Sequence, residues 1–485
     1  MGNNFKKSAI ISTLVYPLSL LNQITISYYF GTSPNLDKYW SLFYAFYLLS
    51  TPIIAIKEQL ANDLIQTSNY DIKLLPEIYS KYFYTTLLLS AFFFFTTSFF
   101  GYFYFETADL RKLSFALAAG AALSAASDIL FTASIPLGDS TYHSKLRFLG
   151  VFFSIICVFS FYEDLKTISL AISTPISCAV LIAYCISKAK KNKLITSKYK
   201  FLTDLDLKQY KFSLANLLGI SLILFLSRHI LSTIEPSQAS ALQYAASIYG
   251  IPESIIITTI YGALWAKWSK QRNSHTHSYR NICHVLRSFC IIMLTITLII
   301  TTFSQPIISI FFERGAFDLN STIKTANALS LYSLNLLPAG LTIICGRFIS
   351  IYISKKIAYK GWILQNSISI ISIIAAYFLK NINLVFISGL LGSISALIFY
   401  TKNTIELHKA HKHMHFLKTA RFVVVTLCII TITPNIHVLG QTTATKLMIV
   451  TGGSILIILT TLLIMTAVRI PIRSQTKLLA STLNS

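Results

Sequence analysis

Long apolar segments recur along almost the whole sequence and constrain the fold more than any other feature. A helix needs about 20 mostly apolar residues to cross the hydrocarbon layer of a bilayer. The sequence contains fourteen such runs, at 8–30, 38–56, 82–104, 113–137, 146–162, 167–187, 212–234, 240–265, 281–303, 323–353, 361–379, 382–401, 422–440 and 447–468. Because the runs are continuous rather than alternating, they predict membrane-spanning helices and not the strands of a transmembrane β-barrel.

The composition agrees with a membrane protein. Of the 485 residues, 54% are hydrophobic and 12% are charged, whereas soluble domains carry about 25% charged residues. A soluble globular fold, a disordered chain and a small disulfide scaffold are therefore excluded. We predict an all-α polytopic membrane protein with about 14 transmembrane helices, arranged as two pseudo-repeated six-helix lobes plus two extra C-terminal helices.

The distribution of basic residues predicts the orientation of the chain. There are 41 Lys and Arg residues against 18 Asp and Glu residues, which gives a net charge of +23. With the N-terminus in the cytoplasm, 31 of the basic residues fall in cytoplasmic segments and 8 in external loops. This asymmetry follows the positive-inside rule and predicts that both termini are cytoplasmic. The basic cytoplasmic loops favour binding to anionic membrane lipids, and nucleic acid is not an expected partner.

The longest basic connection, with eight lysines, suggests a division of the chain. We predict an N-terminal lobe at 1–187, a basic cytoplasmic linker at 188–211, a C-terminal lobe at 212–401, and a basic loop with two further helices at 402–485. A short repeat supports two parallel lobes, because Tyr44-Ala45 followed by Pro52 recurs as Tyr244-Ala245 followed by Pro252. Repeated halves around a central site are a common plan among transporters.

Arg228, Arg347, Asp128 and Glu253 are the charged residues that we assign to the helices rather than to the loops, and a charge at membrane depth costs about 2.5–3.5 kcal/mol on insertion scales and so indicates a function. Arg228 lies in the outer half of its helix, which favours a side chain that faces a cavity. Arg347 is near a cytoplasmic end and either faces the cavity or reaches a headgroup. Asp128 is a candidate for ion or proton coupling or for pairing with an arginine. Glu253 follows Pro252, where a kink makes room for water.

Small and polar residues form stripes on several spans. Helical spacing places Gly120, Ser124 and Asp128 on one face of the fourth span, and Ser221, Arg228 and Ser232 on one face of the seventh. The first span carries Tyr16, Ser19, Asn22 and Gln23. Such stripes are typical either of close helix packing or of a polar cavity.

The sequence lacks the motifs of common enzymes. It has no G-x-x-x-x-G-K-[ST] phosphate loop, nucleophile elbow or HExxH motif, and none of its 7 cysteines forms a CxxC pair. We therefore expect a transporter with no catalytic residue, no metal site and no bound cofactor. The energy for transport would come from the membrane potential or from a coupling cation.

Several stretches resemble the MurJ/MviN lipid II flippase family of the MOP exporter superfamily. They are Tyr29-Phe30-Gly31-Thr32-Ser33 with Asp37, then Arg228, Leu242-Gln243-Tyr244-Ala245, Ile251-Pro252, Glu313-Arg314-Gly315-Ala316-Phe317, Thr322, Leu329, Tyr332 and Arg347-Phe348. The resemblance implies a substrate cavity that includes Arg228 and holds the pyrophosphate of a lipid-linked sugar. To the cavity we assign Arg228, Asn22, Gln23, Ser247, Asp37, Arg347 and Glu253.

The sequence also departs from the family pattern. Where the family carries Arg-x-x-Gly-x-x-Arg-Asp in its first helix, this chain has Tyr16, Ser19, Asn22 and Gln23. Where the family has Tyr-Ala-Asp-Arg in its eighth helix, this chain has Tyr244-Ala245-Ala246-Ser247. These departures leave open whether the cargo is lipid II or a polysaccharide repeat unit.

Together these observations predict a monomeric flippase of the bacterial inner membrane. It would move a lipid-linked, anionic glycan precursor from the cytoplasmic to the outer leaflet by alternating access. One alternative is a cation-coupled exporter of drugs or other small amphiphiles, which would need a coupling acid such as Asp128. A membrane glycan transferase is a third possibility, but such an enzyme would need large external loops with catalytic carboxylates, and the predicted external loops are short.

Overall fold

The structure, a computed structural model, describes residues 2–70, 75–132, 141–191, 207–254, 275–410 and 443–467. These residues contain fifteen α-helices and no strand, which confirms the all-α fold. The helices are α1 Gly2–Phe30, α2 Pro34–Tyr70, α3 Leu75–Tyr104, α4 Ala108–Thr132, α5 Thr141–Leu165, α6 Thr167–Lys191, α7 Leu207–Ile234, α8 Gln238–Pro252, α9 His275–Thr302, α10 Ser304–Phe312, α11 Leu319–Ser333, α12 Leu336–Tyr352, α13 Lys355–Leu379, α14 Ile382–Ala410 and α15 Thr443–Ala467.

Many of these helices are long and apolar enough to cross a bilayer. Within the described ranges, eight spans satisfy the length and hydropathy expected of a membrane helix, and a ninth does so if one sharply bent pair is included. The chain is therefore a polytopic membrane protein. The total of fourteen spans and their arrangement in two six-helix lobes stay predictions, and the predicted thirteenth span at 422–440 lies outside the described residues.

Two prolines follow breaks between helices, the first just after a predicted span and the second inside one. The predicted span at 281–303 is followed by a bend of 73° between α9 and α10, and Pro306 lies in the first turn of α10. The predicted span at 323–353 consists of α11 and α12, and Pro338 lies in the first turn of α12. A proline ring clashes with the carbonyl four residues earlier, so each preceding helix ends close to that carbonyl.

The turn before α11 has a well-defined cap. Asp318 is the N-cap residue of α11, and its carboxylate accepts a hydrogen bond of 2.8 Å from the backbone N–H of Ser321. Hydrogen bonds from the Ser321 side chain and backbone hold the pKa of Asp318 below its usual value. Gly315, in the same turn, has a φ of 58°. This left-handed conformation favours glycine, which accounts for the Arg-Gly pair at this point of the sequence.

The chain divides into two compact units, Met1–Ser232 and Thr233–Ser485. This division falls near the end of α7, whereas the sequence placed the boundary in the basic linker at 188–211 and assigned α7 to the C-terminal lobe. The structure groups α7 with the N-terminal unit, in which its side chains hydrogen-bond to α2. Residues 192–206 of the linker lie outside the described residues.

In the N-terminal unit, α4 is the central helix and packs against α2, α3 and α6, while α5 packs against α1 and α6. In the C-terminal unit, α13 and α14 form the most extensive helix pair, and α8 packs against α11. Gly361 of α13 lets the ring of Tyr400 approach so closely that a Cβ atom would overlap it. The hydroxyl of Tyr400 donates a hydrogen bond of 2.8 Å to the carbonyl of Ala358.

The last described helix, α15, is attached to the bent pair α9–α10. Lys446 donates hydrogen bonds to the hydroxyl of Ser309, at 2.5 Å, and to the carboxylate of Glu313, at 3.3 Å. Gly453, two turns along α15, lies directly against the ring of Phe303. An ion pair at the helix start and a close glycine contact therefore fix α15 within the C-terminal unit.

Candidate functional site

Arg228 is a buried cation in the N-terminal unit. Its side chain in α7 is 3% exposed, and one guanidinium nitrogen donates a hydrogen bond of 2.9 Å to the hydroxyl of Ser227. The guanidinium carbon lies 4.7 Å from the ring centroid of Tyr44 in α2. A cation over an aromatic face gains about 0.5 kcal/mol at an exposed site and about 2 kcal/mol when it is desolvated. Tyr44 therefore supports the position of the charge.

The contact between Arg228 and Tyr44 is one of several polar contacts between α2 and α7. Hydrogen bonds join Ser41 to Ser232 at 3.4 Å, Thr51 to Ser221 at 3.0 Å, and the hydroxyl of Tyr210 to the carbonyl of Pro52 at 3.1 Å. The partners run in opposite directions along the two helices, so the register places Arg228 opposite Tyr44. The predicted stripe of Ser221, Arg228 and Ser232 is thus the face of α7 that contacts α2.

Asp37 lies on the same face of α2 as Ser41 and Tyr44, because residues four and seven positions apart share a helix face. Its side chain is 2% exposed, in the first turn of the helix. Ser33 caps this turn, since its hydroxyl accepts a hydrogen bond of 3.3 Å from the backbone N–H of Leu36. A negative charge at a helix N-terminus is favourable, so Asp37 also has a structural role.

Asn22 and Gln23 are half-buried residues in the C-terminal third of α1. The side-chain oxygen of each is buried and has no hydrogen-bond partner among the described residues. A buried acceptor without a partner costs about 1–3 kcal/mol. Sugar hydroxyls or water could supply the missing hydrogen bonds, which fits the prediction that both residues line a polar cavity.

The small and polar residues predicted on one face of α4 both pack against α6 and line a cavity. Gly120 packs against the side chains of Thr174 and Pro175 in α6, since an added Cβ atom would lie 3.3 Å from both. Gly120 and Ser124 also line a cavity of about 40 Å³, together with Ser50 of α2. This volume admits a few water molecules. The side chain of Asp128 lies outside the described residues, so its assignment to ion or proton coupling stays a prediction.

The other predicted cavity residues, Ser247, Glu253 and Arg347, lie in the C-terminal unit. The hydroxyl of Ser247 donates a hydrogen bond of 2.6 Å to the carbonyl of Tyr244 in its own helix. Glu253 caps the C-terminus of α8 and is half-buried. Its carboxylate interacts electrostatically with the hydroxyl of Tyr249, one turn earlier. Arg347 of α12 is also half-buried, and its guanidinium carbon lies 5.0 Å from the ring centroid of Trp362 in α13.

A polar network in the C-terminal unit was missed by the sequence analysis. The hydroxyl of Ser393 donates to the side-chain oxygen of Asn335 at 2.9 Å and accepts from the side-chain nitrogen of Gln365 at 3.2 Å. Asn335 also hydrogen-bonds the side chain of Tyr249, which connects the network to Glu253. The sequence signal for this network was the presence of uncharged amide side chains inside predicted spans. From these helices only charged residues were selected, and Asn335 and Gln365 were passed over.

Tyr44 is a further residue that was not assigned to the site from the sequence. In the sequence it is notable only as part of a short repeat, because nothing in the order of residues pairs a tyrosine in α2 with an arginine in α7. Of the seven predicted cavity residues, the structure places Asn22, Gln23, Asp37 and Arg228 in the N-terminal unit and the other three in the C-terminal unit. Within the described part of the chain, no three His, Cys, Asp or Glu side chains are grouped to hold a metal ion.

Comparison with known families identifies the chain. The family model for the lipid II flippase MurJ matches residues 154–460, which is more than half of the sequence. The chain belongs to the MurJ lipid II flippase family. This family is named for transport rather than catalysis, in agreement with the prediction of a transporter, and the resemblance inferred from the sequence motifs is confirmed.

Two curated members of the family show similarity over shorter stretches. The probable lipid II flippase MurJ of Rickettsia prowazekii is 30% identical over 177 residues, which are 35% of this chain and 35% of that protein. The probable lipid II flippase MurJ of Buchnera aphidicola subsp. Baizongia pistaciae is 31% identical over 96 residues, which are 20% of this chain and 18% of that protein. The chain thus matches about a third or less of the length of these relatives.

Solved structures match nearly the whole chain and support the fold. A lipid II flippase MurJ in an inward closed conformation superposes with a TM-score of 0.72 at 18% identity, covering 95% of this chain and 97% of the other. An inward-facing multidrug resistance MATE transporter of the MOP superfamily gives a TM-score of 0.64 at 13% identity, covering 84% of this chain and 99% of the other. The MurJ family and the MATE transporters therefore share this fold.

Proposed function

We propose that this chain translocates a lipid-linked diphosphate glycan precursor from the cytoplasmic to the outer leaflet of the bacterial inner membrane. The buried guanidinium of Arg228 carries the proposal, together with membership of the MurJ family. A cation held inside an apolar span requires an energetic reason, and binding of an anionic headgroup supplies one. The protein would act by alternating access, with no catalytic residue.

The geometry around Arg228 suits a phosphate ligand. A guanidinium presents five N–H donors in a planar fork that matches the oxygens of a phosphate. The contact with Tyr44 is a cation–π contact with the ring, 4.7 Å from the guanidinium carbon to the ring centroid, and a π face accepts no conventional N–H hydrogen bond. Tyr44 would therefore hold the arginine in place during binding of the diphosphate.

The proposed cargo is lipid II. The alternative cargo is a lipid-linked polysaccharide repeat unit, which is also a lipid-linked diphosphate glycan. Family membership supports lipid II. Asn22 and Gln23 stand where the resemblance implies an arginine and an aspartate, so the N-terminal unit of this chain would bind its cargo with fewer charges. Amide side chains both donate to and accept from sugar hydroxyls, and they would contact the glycan rather than the diphosphate.

The membrane potential would drive net transport. An inside-negative potential favours outward movement of negative charge by about 2.3 kcal/mol per charge per 100 mV. For two charges on a diphosphate this is roughly 4–5 kcal/mol at 100 mV. A coupling cation would add to this energy, and Asp128 is the residue that we assign to it.

The proposal also covers the orientation of the chain, its lipid contacts and its oligomeric state. Both termini would be cytoplasmic, the basic cytoplasmic loops would contact anionic membrane lipids, and the monomer would be the working unit. The division into two lobes with a basic linker and two extra C-terminal helices also belongs to the proposal. The orientation, the lipid contacts and the division of the chain rest on the distribution of spans and charges in the sequence.

Reconstitution into vesicles tests the proposed function. Purified protein in liposomes with an imposed inside-negative potential should move fluorescent lipid II between leaflets faster than protein-free vesicles do. A lipid-diphosphate polysaccharide unit in matched vesicles tests the other cargo. Rescue of a strain depleted of its own lipid II flippase would confirm lipid II in the cell. Failure to move either lipid, from protein that is shown to be folded, would refute the proposal.

A cation-coupled exporter of small amphiphiles is the second candidate. The fold similarity to a MATE transporter favours it, as does the half-buried Glu253 beside Tyr249. Such an exporter would remove a cationic dye from vesicles when a proton or sodium gradient is applied. Dye movement without lipid movement would favour this function over the flippase.

A further inference from the structure

Trp40 of α2 carries a buried hydrogen-bond donor without a partner among the described residues. Its side chain is 6% exposed, and the indole nitrogen makes no hydrogen bond to any of them. A buried tryptophan N–H usually finds a partner, because a buried donor that stays unpaired destabilises a protein. The indole nitrogen can only donate, so the missing partner must be an acceptor.

Trp40 lies one turn before Tyr44 on the face of α2 that contacts α7. Residues four positions apart share a helix face, and the centroids of the two rings are 6.2 Å apart. Tyr44 in turn lies 4.7 Å from the guanidinium carbon of Arg228. Ser41, next to Trp40, hydrogen-bonds Ser232, which is one turn beyond Arg228 in α7. Trp40 therefore lies beside the contact between Tyr44 and Arg228, one turn nearer the start of α2.

Neighbouring aromatic rings hold the indole in position. Tyr39 and Phe43 make edge-to-face contacts with it, with ring centroids 4.9 and 5.8 Å away. Aromatic pairs prefer this arrangement, and they add stability beyond the area that they bury. A donor on a side chain that is already ordered binds a ligand with little further loss of conformational entropy. The N–H of Trp40 is therefore a preorganised donor.

The polar groups of the N-terminal unit match two different parts of one ligand. On α1, the side-chain oxygens of Asn22 and Gln23 lack a partner among the described residues, and sugar hydroxyls are donors that would satisfy them. On α2 and α7, Trp40 and Arg228 present only N–H donors. Hydrogen bonds to an ionised acceptor are about twice as strong as neutral ones. The anionic part of the cargo therefore matches Trp40 and Arg228 better than its glycan does.

We infer that the indole N–H of Trp40 donates a hydrogen bond to an oxygen of the cargo diphosphate, beside Arg228. This inference rests on the proposed function and adds a second binding residue to it. A neutral donor adds affinity without the insertion cost of another charge in the span. Both side chains are buried in the structure, so the diphosphate would reach them when α2 and α7 separate during the transport cycle.

Binding of farnesyl diphosphate to the purified protein in detergent tests this assignment without transport. Trp40→Phe keeps an aromatic ring but removes the N–H. It should weaken binding roughly tenfold or more, as expected for loss of one hydrogen bond to a charged group. Farnesol, which lacks the diphosphate, should bind both proteins with equal affinity. Trp362→Phe is the matched control, because it removes the same N–H from a tryptophan of the C-terminal unit, and it should keep the affinity for farnesyl diphosphate.

Equal binding of farnesyl diphosphate by Trp40→Phe and the unmodified protein would overturn the role of Trp40 and leave the proposed function intact. An equal loss of farnesol binding, or an equal loss in Trp362→Phe, would also overturn it. Failure of the unmodified protein to bind farnesyl diphosphate would instead refute the proposed function itself.

If Trp40→Phe does not fold, the fluorescence of Trp40 gives a second measurement. The chain has 4 Trp residues, so a variant with Trp265→Phe, Trp268→Phe and Trp362→Phe reports on Trp40 alone. Its emission should shift to longer wavelength when farnesyl diphosphate accepts the hydrogen bond from the indole. An unchanged emission at saturating farnesyl diphosphate would overturn the assignment.

Discussion

Tyr44 and Tyr244 occupy equivalent places in the sequence repeat but have different surroundings in the structure. Each tyrosine is followed by alanine and, eight positions on, by proline. Tyr44 is half-buried, and its ring lies under the guanidinium of Arg228. Tyr244 is 0% exposed and packs against Phe312 and Phe317, with ring centroids 5.3 and 5.4 Å away.

The comparison separates a binding role from a packing role at the same motif. In the N-terminal unit the aromatic ring faces a cation, so its contribution is electrostatic and supports the candidate site. In the C-terminal unit the ring completes an aromatic cluster between α8 and the α10–α11 turn, so its contribution is to stability. The two copies of the sequence motif both lie in helices, and the residues opposite each tyrosine decide its role.

The largest expected difference between the two tyrosines concerns stability. Tyr244→Ala would remove a fully buried ring and should lower the free energy of unfolding by about 3–5 kcal/mol. Tyr44→Ala should cost much less, because that ring is only half-buried. Thermal unfolding of the two variants in the same detergent, followed by size-exclusion chromatography, measures the difference. Equal losses would contradict the assignment of Tyr244 to packing and Tyr44 to binding.

A smaller effect is expected on transport. Tyr44→Leu removes the aromatic face under Arg228 but keeps an apolar side chain, so the rate of lipid movement in vesicles should fall by roughly threefold to tenfold, as expected for loss of a partly desolvated cation–π contact. Tyr44→Phe keeps the ring and should retain most of the rate. Tyr244→Phe serves as the control in the other unit. If Tyr44→Leu transports at the unmodified rate, the stacking contact does not support the site.

Much of the fold followed from the sequence because membrane helices leave a strong signal. Apolar runs of about 20 residues identify spans without knowledge of their neighbours. The bend before Pro306 and the helix break before Pro338 were less accessible, because a proline in an apolar segment is compatible with either a kink or a new helix. The contacts of α7 with α2 could not be read from the sequence, since they join residues about 170 to 190 positions apart.

The candidate site was predictable only in part. Arg228 could be selected because a charge in a span is costly and rare. Tyr44 could not be selected, since it becomes informative only through its partner on another helix. Asn335 and Gln365 could have been selected as polar amides inside predicted spans, but their partners on other helices could not be read from the sequence. Ser247 was selected from its place in the family pattern, and its hydroxyl proved to bond within its own helix.

The central claim is that Arg228 binds the anionic headgroup of the cargo, and substitution of this residue tests it most directly. Outward movement of a fluorescent lipid-diphosphate sugar should be measured in vesicles with equal amounts of folded protein. We predict that Arg228→Ala abolishes movement, because the buried cation is lost, and that Arg228→Lys keeps part of it, because the charge remains without the planar fork. Movement at the unmodified rate in Arg228→Ala would contradict the claim.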